Sequence, residues 1–442
     1  MVTAIEQQYI DGHPGSAERH AEAKNLFPDG VTHDTRRLSP FPIYATHGLG
    51  PHKWDVDGNK LIDYYTGHGS LILGHSHPDI VEAVTKQMQL GTHLSASTDL
   101  EIAWGNLVTD LIDCAEKVRF HSSGTEATMM AFRMARAYTG KNKIIKFQDH
   151  FHGWHDYAMA GNSVVGGIPE ETLDSMIVLP PNDLNAVELT LSQRSDIAAI
   201  ILEPTGSHMG QHAVTQDFVK GLREATRQYG VVLIFDEVVT GFRTSRGGAQ
   251  EYYGITPDMC TMAKILGGGL PGGAVAGKAE IINMIEMTGD PVHDNSRRVQ
   301  HNGTFNANPL SAAAGIQALS IVKHNPINDT ANAMADMLKN GLNDMLAQNE
   351  IPGCVSGIAS CIWLRLGVDH ECDREVCILS PQETEIIDHP GRKTQLELAM
   401  MNHGIHAGTR FIVMAAHTET DIQDTVSATE KALIDLRNQG MI

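Results

Sequence analysis

The chain has 442 residues, 42% of them hydrophobic and 19% charged, a composition typical of a soluble globular protein with more than one structural unit. Its 33 basic and 53 acidic residues give a formal net charge of −20, which argues against nucleic acid or an anionic membrane as a partner. No apolar stretch has the length of a transmembrane span, so we expect a cytoplasmic protein with no membrane partner.

The cysteines and one pair of histidines raise the question of a metal. The six cysteines show no CxxC pair and no disulfide framework spacing, which is typical of reduced thiols in a cytosolic protein. No carboxylate or cysteine is spaced to complete a zinc site with His75 and His77. We therefore interpret these histidines as structural and predict no metal.

The first part of the chain combines a polar helix, a loop and a hairpin. We expect the helix over about residues 14–27, and the polar loop that follows carries Arg36 next to another arginine. Adjacent arginines in a loop are either solvated or part of an anion site. The segment from Lys53 to Tyr65 predicts a hairpin that turns at Asp57-Gly58.

A helix start near residue 123 is the first candidate ligand site. Apolar residues recur at helical spacing from Ala127, and Ser123, Gly124 and Thr125 come just before them. The first amides of a helix have no partner within it, so such an end binds phosphate through amides, hydroxyls and the helix dipole. A plain Ser/Thr helix cap is the alternative.

Two predicted strands and a loop follow. The buried strand Lys143 to Phe147 leads into a loop in which Phe151 offers an aromatic plane for a ring to stack on. Residues 160–185 are rich in glycine, proline and asparagine and predict a flexible loop. A second apolar run, from Ile197, ends in the acid Glu203.

The stretch from Val231 to Gly273 carries the clearest chemistry. A strand buried on both faces ends in Asp236 and Glu237, and ligands of open α/β sheets bind at the carboxyl ends of strands. Lys264 precedes a cluster of glycines that lets the backbone approach a ligand. A lysine and an acid over one ligand indicate a Schiff base with pyridoxal 5'-phosphate (PLP), whose ring nitrogen needs a carboxylate partner. The alternative is that Asp236 caps a turn and Lys264 lies on the surface.

The last third of the chain predicts a smaller α+β domain. From about Asn325 we expect two helices, a strand Cys354 to Leu366, an acidic loop through Arg392, and then a helix, a strand from Arg410 and a last helix. The predicted organisation is an amino-terminal segment, 1–65, packing with the small domain, a large cofactor-binding domain, 66–324, and the small domain, 325–442.

Several motifs occur in one order and together identify a family. They are WDVDGNKLIDYY, LGHSHP, SSGTEA, FHGWHD, ILEP, IFDEVVTGFR, AKILGGGLPGG and HNGTFNANP. With them the chain resembles the class III aminotransferases of PLP fold type I, from about Ala23 to the carboxyl terminus. DGVTHDTR and GHGSLILGH are similar to the branch of glutamate-1-semialdehyde aminomutase and D-phenylglycine aminotransferase. The implied fold is α/β, a large domain with a mostly parallel central sheet plus a smaller α+β domain.

The resemblance implies cofactor roles for the residues found above. It implies that Lys264 forms the Schiff base and moves protons at the substrate carbon, and that Asp236 pairs with the ring nitrogen. Phe151 would stack on one face of the ring and Val238 would pack on the other, with Glu203 supporting the site. The implied phosphate contacts are Ser123, Gly124 and Thr125, with Thr304 supplied by a second subunit, which implies a homodimer.

Three further residues are predicted to contact the substrate. Arg36 falls where relatives bind a substrate carboxylate, His68 stands where the aminomutase has a tryptophan, and Arg410 has no secure counterpart. Because arginine fits carboxylate or phosphonate, we expect a small anionic amino compound anchored by Arg36, with Arg410 or His68 assisting. The alternative is that Arg36 pairs with Asp34 and Arg410 with an acid of the small domain.

The reaction expected first is transamination. The alternatives are elimination by an ammonia-lyase, from a hydroxy-amino acid or an aminophosphonate, and the amino shift of a glutamate-1-semialdehyde-type 2,1-aminomutase. All three begin with removal of a proton from the carbon that bears the amino group. A PLP-binding protein without catalysis is disfavoured, because both Lys264 and Asp236 are retained.

Overall fold

The computed structural model describes residues 2–368 and 372–442. The chain divides into two compact units, Met1–His77 with Asp329–Ile442 and Pro78–Asn328. The predicted division into an amino-terminal segment, 1–65, a large domain, 66–324, and a small domain, 325–442, stays a proposal. No helix within the described residues is long and apolar enough to cross a membrane.

The secondary structure elements are numbered in chain order. The strands are β1 Ala45–Leu49, β2 His52–Asp55, β3 Lys60–Asp63, β4 Lys117–His121, β5 Lys143–Phe147, β6 Met176–Leu179, β7 Ile197–Leu202, β8 His212–Ala213, β9 Val232–Asp236, β10 Met259–Ala263, β11 Gly273–Gly277, β12 Gly353–Ser356, β13 Cys361–Leu366, β14 Ile405–His406 and β15 Arg410–Ile412. The helices are α1 Ala4–Gly12, α2 Pro14–Ala23, α3 Thr66–Gly69, α4 Pro78–Leu90, α5 Asp99–Leu111, α6 Gly124–Thr139, α7 Glu170–Asp174, α8 Leu184–Gln193, α9 Ser207–Gly210, α10 Gln216–Tyr229, α11 Gly248–Tyr253, α12 Ala279–Ile282, α13 Pro309–His324, α14 Ile327–Gln348, α15 Pro381–Ile387, α16 Pro390–Asn402 and α17 Glu419–Asn438.

A seven-stranded sheet forms the centre of the unit Pro78–Asn328. Its strand order is β4-β11-β10-β9-β7-β5-β6, and only β11 runs antiparallel to its neighbours. The strands β7 and β9 are buried along their whole length, as their continuous apolar sequence predicts for a sheet covered on both faces. Since β4, β5, β7, β9 and β10 are parallel, their carboxyl ends meet at one edge of the sheet.

The unit formed by the two chain ends has two small sheets and its own core. One sheet has the order β1-β2-β3-β14 and the other β12-β13-β15. The predicted hairpin is present as β2 and β3. Buried apolar residues from both ends of the chain, including Tyr9, Ile62, Leu342, Phe411 and Leu436, pack into one cluster. Hydrophobic burial of this kind is the main favourable contribution to folding.

The segment predicted as a loop over residues 160–185 is partly regular. It contains the short helix α7 and the edge strand β6, which pairs with β5 through Ile145 and Ile177. The strand β6 was not predicted, because four apolar residues flanked by polar ones show too little periodicity to distinguish a strand from a loop. Only the pairing with β5 defines this strand.

The predictions for the last third also need correction. The single strand expected from Cys354 to Leu366 is the hairpin β12 and β13, and its turn includes Ala359 at φ 53°. The sequence there lacks the dipeptides that mark tight turns. The two helices expected after Asn325 are one helix, α14, and the acidic loop holds the helix α15, capped by Ser380.

Candidate active site

A buried carboxylate lies at the end of the central strand. Asp236 is the last residue of β9 and is only 4% exposed. Its Oδ2 accepts a hydrogen bond from His152 Nδ1 at 2.7 Å, and its Oδ1 accepts one from the Val238 amide at 3.1 Å. A buried carboxylate is costly unless it is hydrogen-bonded, and these two donors satisfy one oxygen each.

The adjacent acid, Glu237, has a different environment. Its carboxylate is fully buried and accepts hydrogen bonds from the Thr240 hydroxyl at 2.6 Å and from the amides of Ala249 and Gln250 at 2.8 and 3.1 Å. These amides belong to the first turn of α11, so Glu237 satisfies donors that the helix leaves unpaired. Of the two acids, Glu237 is therefore the structural one.

Lys264 follows β10 at the same edge of the sheet. The strands β9 and β10 are parallel, with Asp236 opposite Thr261, so Lys264 comes three residues after the position level with the carboxylate. Its backbone is in the left-handed region at φ 54°, and its side chain is half-buried. A non-glycine residue in this region is strained by about 1–3 kcal/mol, and such strain clusters at functional sites.

A third titratable residue, Glu203, joins this edge from β7. Burial, and next the negative charge of Asp236, raise the pKa of Glu203 to about 8, although the Phe151 amide and the charge of Lys264 act in the opposite direction. The Phe151 amide donates to Glu203 Oε1 at 2.8 Å. Because the charges of Asp236 and Lys264 both act on its pKa, Glu203 lies near these two residues at the sheet edge.

The start of α6 has the features of a phosphate cradle. Ser123 is the helix cap, and its hydroxyl accepts a hydrogen bond from the Glu126 amide at 3.2 Å. The predicted alternative, a Ser/Thr cap, is therefore present, yet an accepting hydroxyl keeps its own proton to donate to an anion. Gly124 and Thr125 are half-buried at the first two helical positions, where amides point away from the helix unpaired.

Glycines bring this helix start against its neighbouring strands. A Cβ on Gly124 would lie 2.9 Å from both methyl groups of Val238, so only glycine lets α6 approach the segment after β9 so closely. A Cβ on Gly273, the first residue of β11, would lie 2.2 Å from the Ser123 carbonyl oxygen. These two contacts place the possible phosphate cradle beside Val238 and close to the end of the strand that carries Asp236.

The loop after β5 supplies an aromatic ring and a histidine. Phe151 is 49% exposed, and its ring stacks on that of His208 with centroids 5.9 Å apart. His152 is buried against Asp236, and burial lowers its pKa although the hydrogen bond to Asp236 raises it. The contact of His152 with Asp236 was not predicted from the sequence. The FHGWHD motif was the available signal, but this contact depends on the order of strands in the sheet, which a motif does not specify.

Thr304 lies apart in a turn before α13. Its side chain is exposed, and the next residue, Phe305, is 57% exposed. The structure holds one chain and gives no contact that would place Thr304 at a phosphate group. Its contribution across a subunit interface stays a prediction.

Arg36 and His68 line a cavity within the unit formed by the two chain ends. The cavity has a volume of about 500 Å³, and Tyr65 and Glu397 also line it. His68 is half-buried and stacks on the His33 ring at 5.1 Å between centroids. Tyr65 donates a hydrogen bond to Glu397 Oε1 at 2.7 Å, and burial raises the pKa of Glu397. The cavity therefore combines the predicted cation Arg36 with a carboxyl group that is easier to protonate than usual.

The alternative that Arg36 pairs with Asp34 is wrong. It is Arg37 that bonds to Asp29 at 2.6 Å and lies 3.6 Å from Asp34, while Arg36 donates to the Thr32 hydroxyl at 3.0 Å. Within residues 2–368 and 372–442, neither Arg36 nor Arg410 has a carboxylate within salt-bridge distance. Arg410 instead stacks its guanidinium over the Trp363 ring, 5.5 Å from the centroid.

The residues at the sheet edge fit PLP. A phosphate needs a helix start with hydroxyl and amide donors, which Ser123 and Thr125 offer. A protonated ring nitrogen needs a buried carboxylate, which Asp236 offers, and the aldehyde needs a lysine, which Lys264 offers. The mostly parallel sheet and this donor set define a PLP-dependent enzyme of fold type I.

The comparisons with known proteins agree with this class. The sequence profile of aminotransferase class-III matches residues 34–364, and the chain belongs to this family of PLP-dependent enzymes. A glutamate-1-semialdehyde 2,1-aminomutase from Methanopyrus kandleri is 37% identical over 439 residues, which cover 96% of this chain and 98% of the relative.

Two solved structures show the same fold at full length. An omega-transaminase from Sphaerobacter thermophilus has a TM-score of 0.87 at 35% identity, covering 97% of this chain and 99% of that one. A transaminase with PLP bound has a TM-score of 0.86 at 28% identity, again covering 97% and 99%. The predicted α/β fold with a mostly parallel central sheet is confirmed.

Proposed function

We propose that this chain is a 2,1-aminomutase of the glutamate-1-semialdehyde type, which moves an amino group between neighbouring carbons of one small anionic substrate. The observation that carries the proposal is the full-length similarity to curated aminomutases. These comparisons support the amino shift better than the transamination expected first from the sequence.

The site residues have the following proposed roles. When bound, PLP withdraws electrons from the substrate carbon that carries the amino group, so that the proton on this carbon becomes acidic. Lys264 Nζ would move this proton, and the Asp236 carboxylate would hold a proton at the ring nitrogen. His152 would fix the orientation of Asp236 through its 2.7 Å hydrogen bond.

The remaining cofactor contacts would position the ring and its phosphate. Phe151 and Val238 would lie on opposite faces of the ring, and Ser123, Gly124 and Thr125 would bind the phosphate. Glu203, with its pKa raised by burial, would stay largely protonated near neutral pH, so that it adds no second negative charge beside Asp236.

The substrate is proposed to be anionic because of Arg36. Lys53 also lines the cavity, but its ammonium bonds to Asp63 at 2.9 Å. Among the described residues, Arg36 bonds to the neutral Thr32 hydroxyl and to no carboxylate, so its guanidinium remains available to a carboxylate or phosphonate. Arg410 and His68 would assist, since Arg410 acts electrostatically on Tyr65, another residue of the cavity wall.

A homodimer is part of the proposal. The turn that carries Thr304 is exposed together with Phe305, which would be buried if a second subunit packed against it. Sedimentation of the cofactor-loaded protein, with cofactor occupancy measured across the same dilution series, tests this assembly. A monomer that keeps its cofactor would overturn it.

Transamination is the second candidate function. It is favoured by the similarity to an omega-transaminase and by His68, because the resemblance places a tryptophan at this position in the aminomutase. A histidine adds a polar group where the aminomutase has an apolar wall. The two reactions differ in whether the amino group leaves the substrate molecule.

Product analysis separates these reactions. Cofactor-loaded protein is incubated with glutamate-1-semialdehyde without any amino acceptor, and products are followed by NMR, with the Lys264→Ala variant as the blank. We expect the isomer with amino and carbonyl groups exchanged to accumulate over many turnovers without free ammonia. Turnover that requires an added keto acid would instead support transamination, and continuous ammonia release would support elimination; either result would overturn the proposal.

A further inference from the structure

Three cysteines of the unit formed by the two chain ends lie together. The Sγ atoms of Cys354, Cys372 and Cys377 are all within 4.8 Å of one another, and those of Cys354 and Cys377 are 3.9 Å apart. These cysteines are distant in sequence from the residues proposed to bind PLP, and they have no role in the proposed reaction. They were not predicted as a set because they lack CxxC spacing.

Their geometry matches the coordination sphere of a thiophilic cation. Zinc binds thiolates at about 2.3 Å in a tetrahedron, which places neighbouring sulfur atoms about 3.8 Å apart. The observed 3.9 Å between Cys354 and Cys377 agrees with this edge length, and small side-chain rotations would bring Cys372 to the same distance.

Two structural elements hold the thiols in place. Cys354 lies on β12, opposite Arg365 of β13, and both Cys354 and Cys377 are buried. Cys372 and Cys377 flank a turn in which the Asp373 carboxylate accepts hydrogen bonds from the backbone amides of Glu375 and Val376, at 2.9 and 2.7 Å. The strand is therefore held by its pairing with β13, and the turn by hydrogen bonds to the Asp373 side chain.

Metal binding would release the protons of the thiols, because thiolate is the form of cysteine that binds metal. Cys372 is half-buried, so the cluster is open to solvent on one side.

We propose that Cys354, Cys372 and Cys377 bind one thiophilic divalent cation of the Zn²⁺ class, with the fourth position facing solvent. The ion would tie the turn 372–377 to β12. This role is independent of PLP chemistry and differs from the expectation, drawn from sequence spacing, that the chain has no metal site.

Cobalt serves as a spectroscopic probe for this site. Cofactor-loaded protein, purified under reducing conditions and treated with a chelator, is titrated with Co²⁺, and difference spectra are recorded against the metal-free sample. We expect thiolate-to-cobalt charge-transfer absorption that saturates at about one ion per chain and is abolished by added Zn²⁺, which is bound more tightly.

Two variants test the ligands. Cys372→Ser changes a half-buried ligand and should weaken cobalt binding at least tenfold, while Cys114→Ser, a buried cysteine of the other unit, should leave it unchanged. Circular dichroism checks that both variants fold. Alkylation of native protein followed by mass spectrometry gives a second readout, in which Zn²⁺ should protect Cys372.

Two results would overturn the proposal. These are the absence of charge-transfer absorption and equal cobalt affinity in the Cys372→Ser variant. Protection of Cys114 by Zn²⁺ with no protection of Cys372 would contradict it as well.

Discussion

Adjacent acids in the central stretch show how environment separates residues of similar chemistry. Asp236 points to His152 and the amide of Val238, whereas Glu237 is enclosed by donors from Thr240 and α11. The sequence predicted that at least one acid would reach the sheet edge, and the alternation of side chains along a strand places successive residues on opposite faces. Only the structure shows that Glu237 is bound to the helix α11.

The first prediction compares Asp236→Asn with Glu237→Gln. Asparagine cannot hold a proton at the ring nitrogen, so we expect kcat to fall about tenfold to a hundredfold, the equivalent of one charge-assisted hydrogen bond, with cofactor still bound. Glu237→Gln should instead destabilise the fold by about 1–3 kcal/mol, because an amide donor would face the amides of α11. Steady-state kinetics and urea unfolding distinguish the two effects. Equal kinetic losses in both variants would contradict the assignment.

The second prediction concerns the substrate anion. Replacing Arg36 by Ala should raise KM for the substrate about tenfold or more, since a charge-assisted contact is worth about 1.5–3 kcal/mol, while kcat changes less. Arg37→Ala is the matched control, because its guanidinium is 57% exposed and already bound to Asp29. Steady-state kinetics of both variants are compared. A KM that is unchanged by Arg36→Ala, or raised equally by Arg37→Ala, would show that the anion binds elsewhere.

The third prediction concerns the protonation of Glu203. Its pKa is raised from 4.5 to about 8 in the folded protein, so the folded state holds a proton that the unfolded state has lost between these values. The free energy of unfolding should therefore fall as pH rises from about 5 to 8. Glu203→Gln removes this dependence while keeping an acceptor for the Phe151 amide, so it should stabilise the protein more at pH 8 than at pH 5.

Urea unfolding at saturating cofactor, measured at several pH values, checks the Glu203 prediction. Glu224→Gln on the exposed face of α10 is the control for loss of one negative charge. If the stability difference between wild type and Glu203→Gln stays constant from pH 5 to pH 8, Glu203 does not titrate as inferred.

Strand ends explain how the elements assemble the site. The strands β4, β5, β7, β9 and β10 deliver the residues of the phosphate cradle, Phe151, Glu203, Asp236 and Lys264 to one edge. The ends of β5, β7 and β9 were predicted, because a buried apolar run stops at a polar residue, whereas β4 and β10 were not predicted as strands. The strand order was not predicted either, so the contact of His152 with Asp236 was missed. The edge strand β6 was also missed, because its identity rests on pairing alone.

The fourth prediction tests the close approach of β11 to the phosphate cradle. A Cβ at Gly273 would lie 2.2 Å from the Ser123 carbonyl, so Gly273→Ala must displace backbone and should cost about 1–3 kcal/mol in stability. Cofactor affinity should fall with it. Gly105→Ala in α5 is the control, because its Cβ would meet Val118 at an ordinary 3.6 Å and alanine favours helices. Thermal unfolding and cofactor titration of both variants measure these effects. An unchanged cofactor affinity in Gly273→Ala would contradict the assignment of the phosphate cradle.

At the scale of the whole molecule, the two ends of the chain fold into one unit. The sequence texture predicted a small α+β domain at the carboxyl end, and the cluster that joins Tyr9 and Ile62 to Leu436 shows how the amino-terminal segment completes its core. Contacts over such sequence separations leave no local pattern, which is also why the three-cysteine cluster escaped prediction. Family motifs predicted the fold and cofactor, whereas the proposed substrate class rests on single side chains, Arg36 and His68.

The most direct test of the account is to locate the lysine that bonds to the cofactor. Cofactor-loaded protein is reduced with borohydride, which converts a Schiff base to a stable amine, then digested and mapped by mass spectrometry. We predict a single modified lysine, Lys264, and no modification of the buried Lys146, whose ammonium bonds to the carbonyls of Ala158 and Ala160. Modification of another lysine, or of none, would contradict the assignment of the active site.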